Sequence, residues 1–322
     1  MRPPVTGSGG GPAADPRPVL LVLRALGLGD FLTVVPALRA LSDAFPGHRR
    51  ILGCPRVLEP LALHTGAVDD VLPTEPLGPV DWRGPAVAVN LHGRGPESHR
   101  RLLETLPGRL IAFRSAELAE TAGLPAWRAD EHEVERWCRL LAESGIPADP
   151  GRLELTRSGL PATRCPHGAT IVHPGAQSAA RRWPAERWAA VVRAELADGR
   201  PVLVTAGPGE SALAQHLAEL AALAPDAVRD GMGILELAGL VARAGRVACG
   251  DTGVAHLATA LGKPSVVLFG PTPPALWGPP PGGRHTVLWK GYASDPFADR
   301  PAPGLLAIQP PEVARALAAL GS

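Results

Sequence analysis

The sequence predicts an α/β protein of two doubly wound, Rossmann-like domains facing one cleft, and three observations carry that expectation. The chain has 322 residues, against roughly 100–200 per domain. Short apolar runs, the pattern of strands buried on both faces, alternate with longer amphipathic stretches. A stretch rich in Pro, Gly, Arg and Thr between Ile146 and Gly168 divides the series in two, so a linker is expected near 155–167. The division is a tail over 1–17, an N-terminal domain over 18–160 and a C-terminal domain over 161–322, whose last helix could return to the first domain. Doubly wound sheets bind ligands at the carboxyl ends of their strands. Two such edges facing each other make one deep interdomain site.

The elements follow in order. Val19–Arg24 (VLLVLR) reads as a buried strand. After the tight Ala25–Asp30 turn, Phe31–Phe45 carries Leu32, Val35, Leu38 and Leu41 on one helical stripe and stops at Pro46-Gly47. Pro36 lies in its early turns and is expected to weaken or kink it. Arg50–Gly53, Ala86–Leu91 and Arg109–Phe113 are the next strands, and His132–Ser144 is a helix. In the second half Ala169–His173, Val202–Thr205, Val247–Cys249, Ser265–Phe269 and Val287–Trp289 read as strands. Ala185–Ala197, Glu210–Leu223, Ile234–Ala244, Gly253–Leu261 and Pro311–Leu320 read as helices, the last with a proline at its first turn.

Composition removes several function classes. Lys plus Arg is 32 and Asp plus Glu is 31, so no charge excess points to nucleic acid. No apolar run is long enough for a membrane span, although peripheral membrane contact stays open. Lys263 and Lys290 are the only lysines. With 37 Gly and 37 Pro, this Arg-for-Lys usage reads as compositional background. Cys54, Cys138, Cys165 and Cys249 form no C-x-x-C pair, which points to neither zinc nor a disulfide framework, and a cytoplasmic setting is the default. The Gly/Pro-rich first 17 residues lack an apolar core and read as a flexible tail, not a signal peptide.

Four segments could carry chemistry. Gly27-Leu28-Gly29-Asp30 follows a strand and opens a helix. Asp30 is either an N-cap or a general base at the cleft. The turn is half of a dinucleotide fingerprint, but Leu32 stands where the third glycine belongs. Ile171–Pro184 ends a strand at His173, which reads as structural, and brings Arg181 and Arg182 to a loop where guanidiniums can grip phosphate or simply face solvent. Val247–Leu257 ends a strand in Gly250-Asp251-Thr252-Gly253. Asp251 or Thr252 can cap the next helix, whose free N–H groups suit a phosphate; His256 is a ligand contact or a structural histidine. Glu210 can accept ribose hydroxyls or merely complement a helix dipole. Met232 can pack on a base or fill core.

Together these segments resemble the bacterial glycosyltransferases of family 9, the ADP-heptose:lipopolysaccharide heptosyltransferase-like proteins. The resemblance runs from about Val19 to Leu320. It is carried by LGLGDFLTVVPALRAL (26–41), HPGAQSAARRWPAERW (173–188) and ACGDTGVAHLATALGKPSVVLFGPTPPALWGP (248–279). It implies the GT-B fold, with Asp30 as general base. It implies Arg181, with Arg182 adjacent, at the donor phosphates, and Asp251, Thr252, Gly253 and His256 in the donor motif. Met232 falls at the adenine position and Glu210 at the ribose. On the acceptor side it implies Gly29, Asn90, His92 and Arg94, with Asn90 departing from the family's aspartate.

The expected reaction is inverting transfer of a sugar, heptose favoured, from an ADP-linked donor to a glycan, glycolipid or small-molecule hydroxyl, as in lipopolysaccharide biosynthesis. Asp30 takes the proton while the arginines and a helix start meet the growing diphosphate charge. No D-x-D-like pair suggests a metal, and no cofactor besides the donor is expected. The competing readings are an NAD(P)-dependent Rossmann oxidoreductase and a non-catalytic sugar-nucleotide-binding protein.

Overall fold

Apolar side chains alternate along the first strand, β1 (Val19–Leu23), between two cores. Leu20 and Val22 enter one core, Leu21 and Leu23 the other. Each such side chain contributes about 1.5–3 kcal/mol by leaving water, which is why a strand buried on both faces needs no polar alternation. The computed structural model describes residues 15–282 and 284–320. The expected tail over 1–17 therefore lies outside the described residues up to position 14.

After β1 the helical stripe is broken. It forms α1 (Leu28–Thr33) and α2 (Val35–Ala44), which meet at Val34. Pro36 has no N–H to continue the ladder, so it sits in the first turn of a new helix instead of inside one long helix. There follow β2 (Arg49–Cys54), α3 (Glu59–His64), β3 (Asp70–Pro73), β4 (Val87–Asn90), α4 (Glu97–Leu103), β5 (Arg109–Ile111) and α5 (Glu133–Glu143). The five strands form one parallel sheet in the order β3-β2-β1-β4-β5. Leu21 of β1 lies between Ile51 of β2 and Ala88 of β4.

The second half runs β6 (Thr170–His173), α6 (Ala185–Ala197), β7 (Val202–Thr205), α7 (Ser211–Leu220), β8 (Val228–Arg229), α8 (Ile234–Arg243), β9 (Arg246–Gly250), α9 (Gly253–Ala260), β10 (Ser265–Leu268), α10 (Pro274–Trp277), β11 (His285–Leu288), α11 (Pro303–Leu306) and α12 (Pro310–Ala319). Its parallel sheet has the order β11-β10-β9-β6-β7-β8. Both sheets thus grow outward in two directions from a central first strand, β1 or β6, and each reversal opens a crevice at the carboxyl edge. The α12 helix lies against α6 and β10, with Val313 and Leu317 in the core of the second domain; it stays with that domain.

The segment between the domains is fastened to both. Arg39 donates to the carbonyls of Arg152 and Glu154, and His64 Nε2 lies 2.9 Å from the Thr156 carbonyl. On the other side Leu155 N donates to Ala260 O and Arg157 to Leu261 O, both at 2.7 Å. One continuous apolar cluster holds Leu20 and Phe31 of the first domain together with Leu155, Leu160, Val247 and Leu257.

Candidate active site

The two domains meet through glycines. Helices α1 and α9 pack against each other. A Cβ on Gly253 would stand 2.8 Å from Leu28 Cβ, and one on Gly29 would stand 2.9 Å from His256 Cδ2. Neither contact tolerates a side chain without displacement, so only glycine lets the turn after β1 reach the turn after β9. Gly29 therefore belongs to the domain junction, where it faces the donor-side helix α9.

Asp30 sits in the first turn of α1, whose N-cap is Gly27, so the capping role is not its role. Its carboxylate is 31% exposed, and Arg24 Nη2 lies 3.2 Å from Oδ1. Burial raises its pKa; the positive charges of Arg24 and Arg181 oppose that, and Glu133 adds to it. A carboxylate held this way keeps some basicity while one edge reaches solvent.

Arg24 is the residue the sequence reading missed. It ends the VLLVLR run, is 1% exposed, and uses all three nitrogens of its fork. Nε donates to Asp30 O (2.9 Å) and Nη1 to Leu91 O (2.7 Å), while Nη2 reaches Asp30 Oδ1, Thr33 Oγ1 and Glu133 Oε1. Glu133, at the start of α5, is also bonded by Arg136 and by Trp137 Nε1 (2.9 Å). The signal was present in the sequence: a charged residue closing a strand otherwise buried on both faces must have a partner.

The second domain supplies the other wall. Asp251 and Thr252 follow β9, and Thr252 is the N-cap of α9 without a side-chain capping bond. Three of the buried side-chain polar atoms that lack a hydrogen bond lie here: Arg181 Nε, Asp251 Oδ2 and Thr252 Oγ1, the last beside the Cys249 thiol. Arg181 Nη1 is 3.6 Å from Asp251 Oδ2. Burial pushes the Asp251 pKa up to about 6; Arg181 pulls it down and the charge of Asp30 adds to the rise. Such groups are costly to bury unpaired. Their gathering beside uncapped helix N–H groups describes a seat for a polar, anionic ligand. His256, one turn into α9, is pushed down to about 4 by burial and stands edge-on to Trp277.

Arg182 faces another way: its Nε donates to Ala176 O at 2.8 Å and holds the 174–178 loop. Glu210 is the N-cap of α7 and turns back, its Oε2 accepting from Gly207 N (2.8 Å) and lying 3.5 Å from His173 Nε2. The carboxylate fills the space over Gly175, where a Cβ would stand 2.0 Å from Oε2. His173 is buried, bonded to Thr205 Oγ1 and held below its usual pKa by burial. Met232 is half-buried between β8 and α8, against the main core.

On the acceptor side Asn90 is wholly buried, and all its contacts are internal. Nδ2 faces Ser98 Oγ and His99 Nδ1, each at 2.9 Å, and Oδ1 accepts from His92 N at 2.8 Å. The expectation that Asn90 meets an acceptor is corrected: it shapes the loop that carries the others. His92 Nδ1 accepts from Ala25 N, and burial followed by the charge of Arg24 pushes its pKa down to about 4. Arg94 is exposed beyond them. Among the described residues no group of three or more His, Cys, Asp or Glu is placed to hold a metal ion, and no helix is long and apolar enough to cross a membrane.

Two parallel doubly wound sheets meeting at their carboxyl edges define the GT-B class of fold, here with a carboxylate on one wall and unpaired polar atoms on the other. The glycosyltransferase family 9 (heptosyltransferase) model matches residues 118–301, more than half the chain, and the chain belongs to that family. Lipopolysaccharide heptosyltransferase 1 of Escherichia coli K12 is 32% identical over 156 residues. The match covers 46% of this chain and 47% of that relative, so the chain spans about half the relative's length. The glycosyltransferase family 9 protein of Veillonella parvula superposes with a TM-score of 0.76 at 20% identity, over 94% of this chain and 97% of the other. The E. coli ADP-heptose lipopolysaccharide heptosyltransferase II gives 0.74 at 18% identity, over 94% and 98%. At these identities the structural likeness speaks for the fold.

Proposed function

We propose that the protein is an inverting glycosyltransferase that moves a sugar, heptose favoured, from an ADP-linked donor to an acceptor hydroxyl. One observation carries the reading: α1, which holds Asp30 in its first turn, packs on α9 of the second domain, before whose start Arg181 Nη1 stands 3.6 Å from Asp251 Oδ2. The ADP-heptose named for one structural relative supports the choice of donor.

The chemistry follows from the walls. The diphosphate lies against Arg181 and the free N–H groups that open α9, and the orphaned Nε of Arg181 gains a partner. Asp251 and Thr252 bond donor hydroxyls. Glu210, held through Oε2 by Gly207 N, is assigned to the ribose and half-buried Met232 to the base. The acceptor hydroxyl enters past His92 and Arg94 and gives its proton to Asp30 as its oxygen attacks the anomeric carbon opposite the diphosphate. The carbon inverts, the glycosidic bond to phosphate breaks, and the negative charge released is met by Arg181 and the helix N–H groups.

Thermal shift against ADP, ADP-heptose, UDP, GDP and NAD(P) tests the donor half, with Arg181→Ala as control. A ligand that binds only the folded chain raises Tm. ADP and ADP-heptose are expected to do so in the wild type and not in Arg181→Ala. A response confined to UDP or GDP would overturn the ADP-heptose donor, and one confined to NAD(P) would overturn the transferase.

A further inference from the structure

The chain is poor in aromatics, and most are buried or half-buried. Among the described residues only three are exposed, Trp289, Tyr292 and Phe297, and all three lie on the segment that follows β11. Tyr292 is 63% and Phe297 81% exposed. Scattered apolar side chains on a surface need no explanation, but three exposed aromatics within nine positions of one segment are a concentration that asks for one.

The segment is fastened at the carboxyl edge of the second sheet, where the donor site lies. Ser294 N donates to Pro271 O, in the loop after β10, at 3.0 Å. Ser178 Oγ donates to Pro296 O at 2.6 Å, and Ala180 N donates to Ala298 O. Ser178 and Ala180 are in the loop that presents Arg181. Phe297 N donates to Asp295 Oδ1 at 2.9 Å, which fixes the turn beneath the ring. Gly304 of α11 closes against Tyr292 so tightly that a Cβ there would stand 3.2 Å from Tyr292 Cβ. The backbone is held on the inside, and the rings are left outside.

We infer that Tyr292 and Phe297, with Trp289 earlier on the same segment, form a stacking surface for a sugar ring of the acceptor glycan, a subsite continuous with the donor loop. The inference rests on the transferase reading. A flat π face is electron-rich and attracts the polarised C–H groups on one face of a pyranose, while neighbouring carboxylates accept the ring's hydroxyls. The segment offers that mixture, with Asp295 and Asp299 interleaved with the rings. Its charge argues for a neutral polyhydroxyl ligand over an anionic lipid surface. Two carboxylates stand against Arg300 and Lys290, and Lys290 is already paired with Glu312.

The full chain, Tyr292→Ala, Phe297→Ala and Phe297→Leu are compared on a printed array of bacterial oligosaccharides in the presence of ADP. The wild type is expected to bind a subset of the array. Both alanine variants are expected to lose at least tenfold in signal, and Phe297→Leu as well, since it keeps apolar area without a flat face. The ADP thermal shift is expected to be the same in all four. Equal array binding by the variants overturns the stacking surface. So does a wild type that responds to ADP yet binds no glycan, or aromatic-dependent sedimentation with phosphatidylcholine/phosphatidylserine vesicles in place of glycan binding. Loss of the ADP response in Phe297→Ala would also overturn it, since the ring would then serve the donor. A wild type that binds the oligosaccharides through these rings but ignores ADP defeats the transferase reading and leaves the glycan site standing.

Discussion

The two walls of the cleft treat their polar groups oppositely. On the first domain's side the buried groups nearest the cleft are held by the protein: Asn90 bonds Ser98, His99 and His92, and Arg24 bonds Asp30, Leu91, Thr33 and Glu133. On the second domain's side Arg181 Nε, Asp251 Oδ2 and Thr252 Oγ1 are buried without a hydrogen bond. A paired buried group holds structure, whereas an unpaired one stores an unsatisfied interaction that a ligand can satisfy. Unpaired atoms also lie in the scaffold, Arg136 Nε and Trp188 Nε1 among them; what sets the donor-wall atoms apart is that three of them gather beside one helix start.

Substitutions can break that contrast. The largest effect is expected for Asp30→Asn, which should lower transfer from ADP-heptose by about 10²–10⁴-fold, the usual worth of a general base, while the ADP thermal shift is kept. Loss of both would make Asp30 structural. Next is Arg24→Ala. Removing the centre of a buried ion network takes the nearest cation from Asp30 and leaves Glu133 to Arg136 and Trp137 alone, and is expected to cost about 3–5 kcal/mol in denaturant unfolding. A change within 1 kcal/mol would mean the network is dispensable.

The donor wall should behave the other way. Asp251 has a folded pKa of about 6, above its unfolded value, so the unfolded chain gives up this proton first as pH rises. Its ionisation therefore subtracts stability progressively between about pH 4 and pH 6 and fully above. Asp251→Asn is expected to raise Tm at pH 8 and to change it little at pH 4; an equal gain at both pH values would refute the assignment. His92 and His256, both near 4 when folded, act with the opposite sense. The unfolded chain takes up their protons first, so they subtract stability as pH falls from about 6.5 toward 4, and Tm should drop over that window. The smallest effect is expected for Asn90→Asp. It removes the donor to Ser98 and His99 and should cost about 1–3 kcal/mol without altering the ADP shift. A lost ADP shift would mean that this loop reaches the donor.

Much of the architecture was legible in the sequence, because it rests on local chemistry. The strands buried on both faces, the 185–197 helix and the glycine-aspartate turns declare themselves through apolar runs and breakers. The split at Val34 was half legible, in Pro36. The short strands β3 and β8 were not, since Asp70–Pro73 and Val228–Arg229 are only half-buried and owe their conformation to neighbours in the sheet. In the site, residues at strand ends could be found one at a time. That Arg181 would turn to Asp251 while Arg182 tied down its own loop could not, because adjacent arginines are alike in sequence and differ only in what the fold sets beside them. The same holds for Arg24, whose partners Leu91 and Glu133 are far along the chain.

The fastened linker has a thermodynamic consequence. The segment through Leu155 and Arg157 is bonded to both halves, and one apolar cluster runs through both sheets. Neither half can melt without exposing the other's core, so the molecule should unfold as one cooperative unit despite its two sheets. Calorimetry is expected to give a single heat-capacity peak that a nucleotide moves as a whole, which makes occupancy of a site on one domain a stabiliser of the most distant strand of the other.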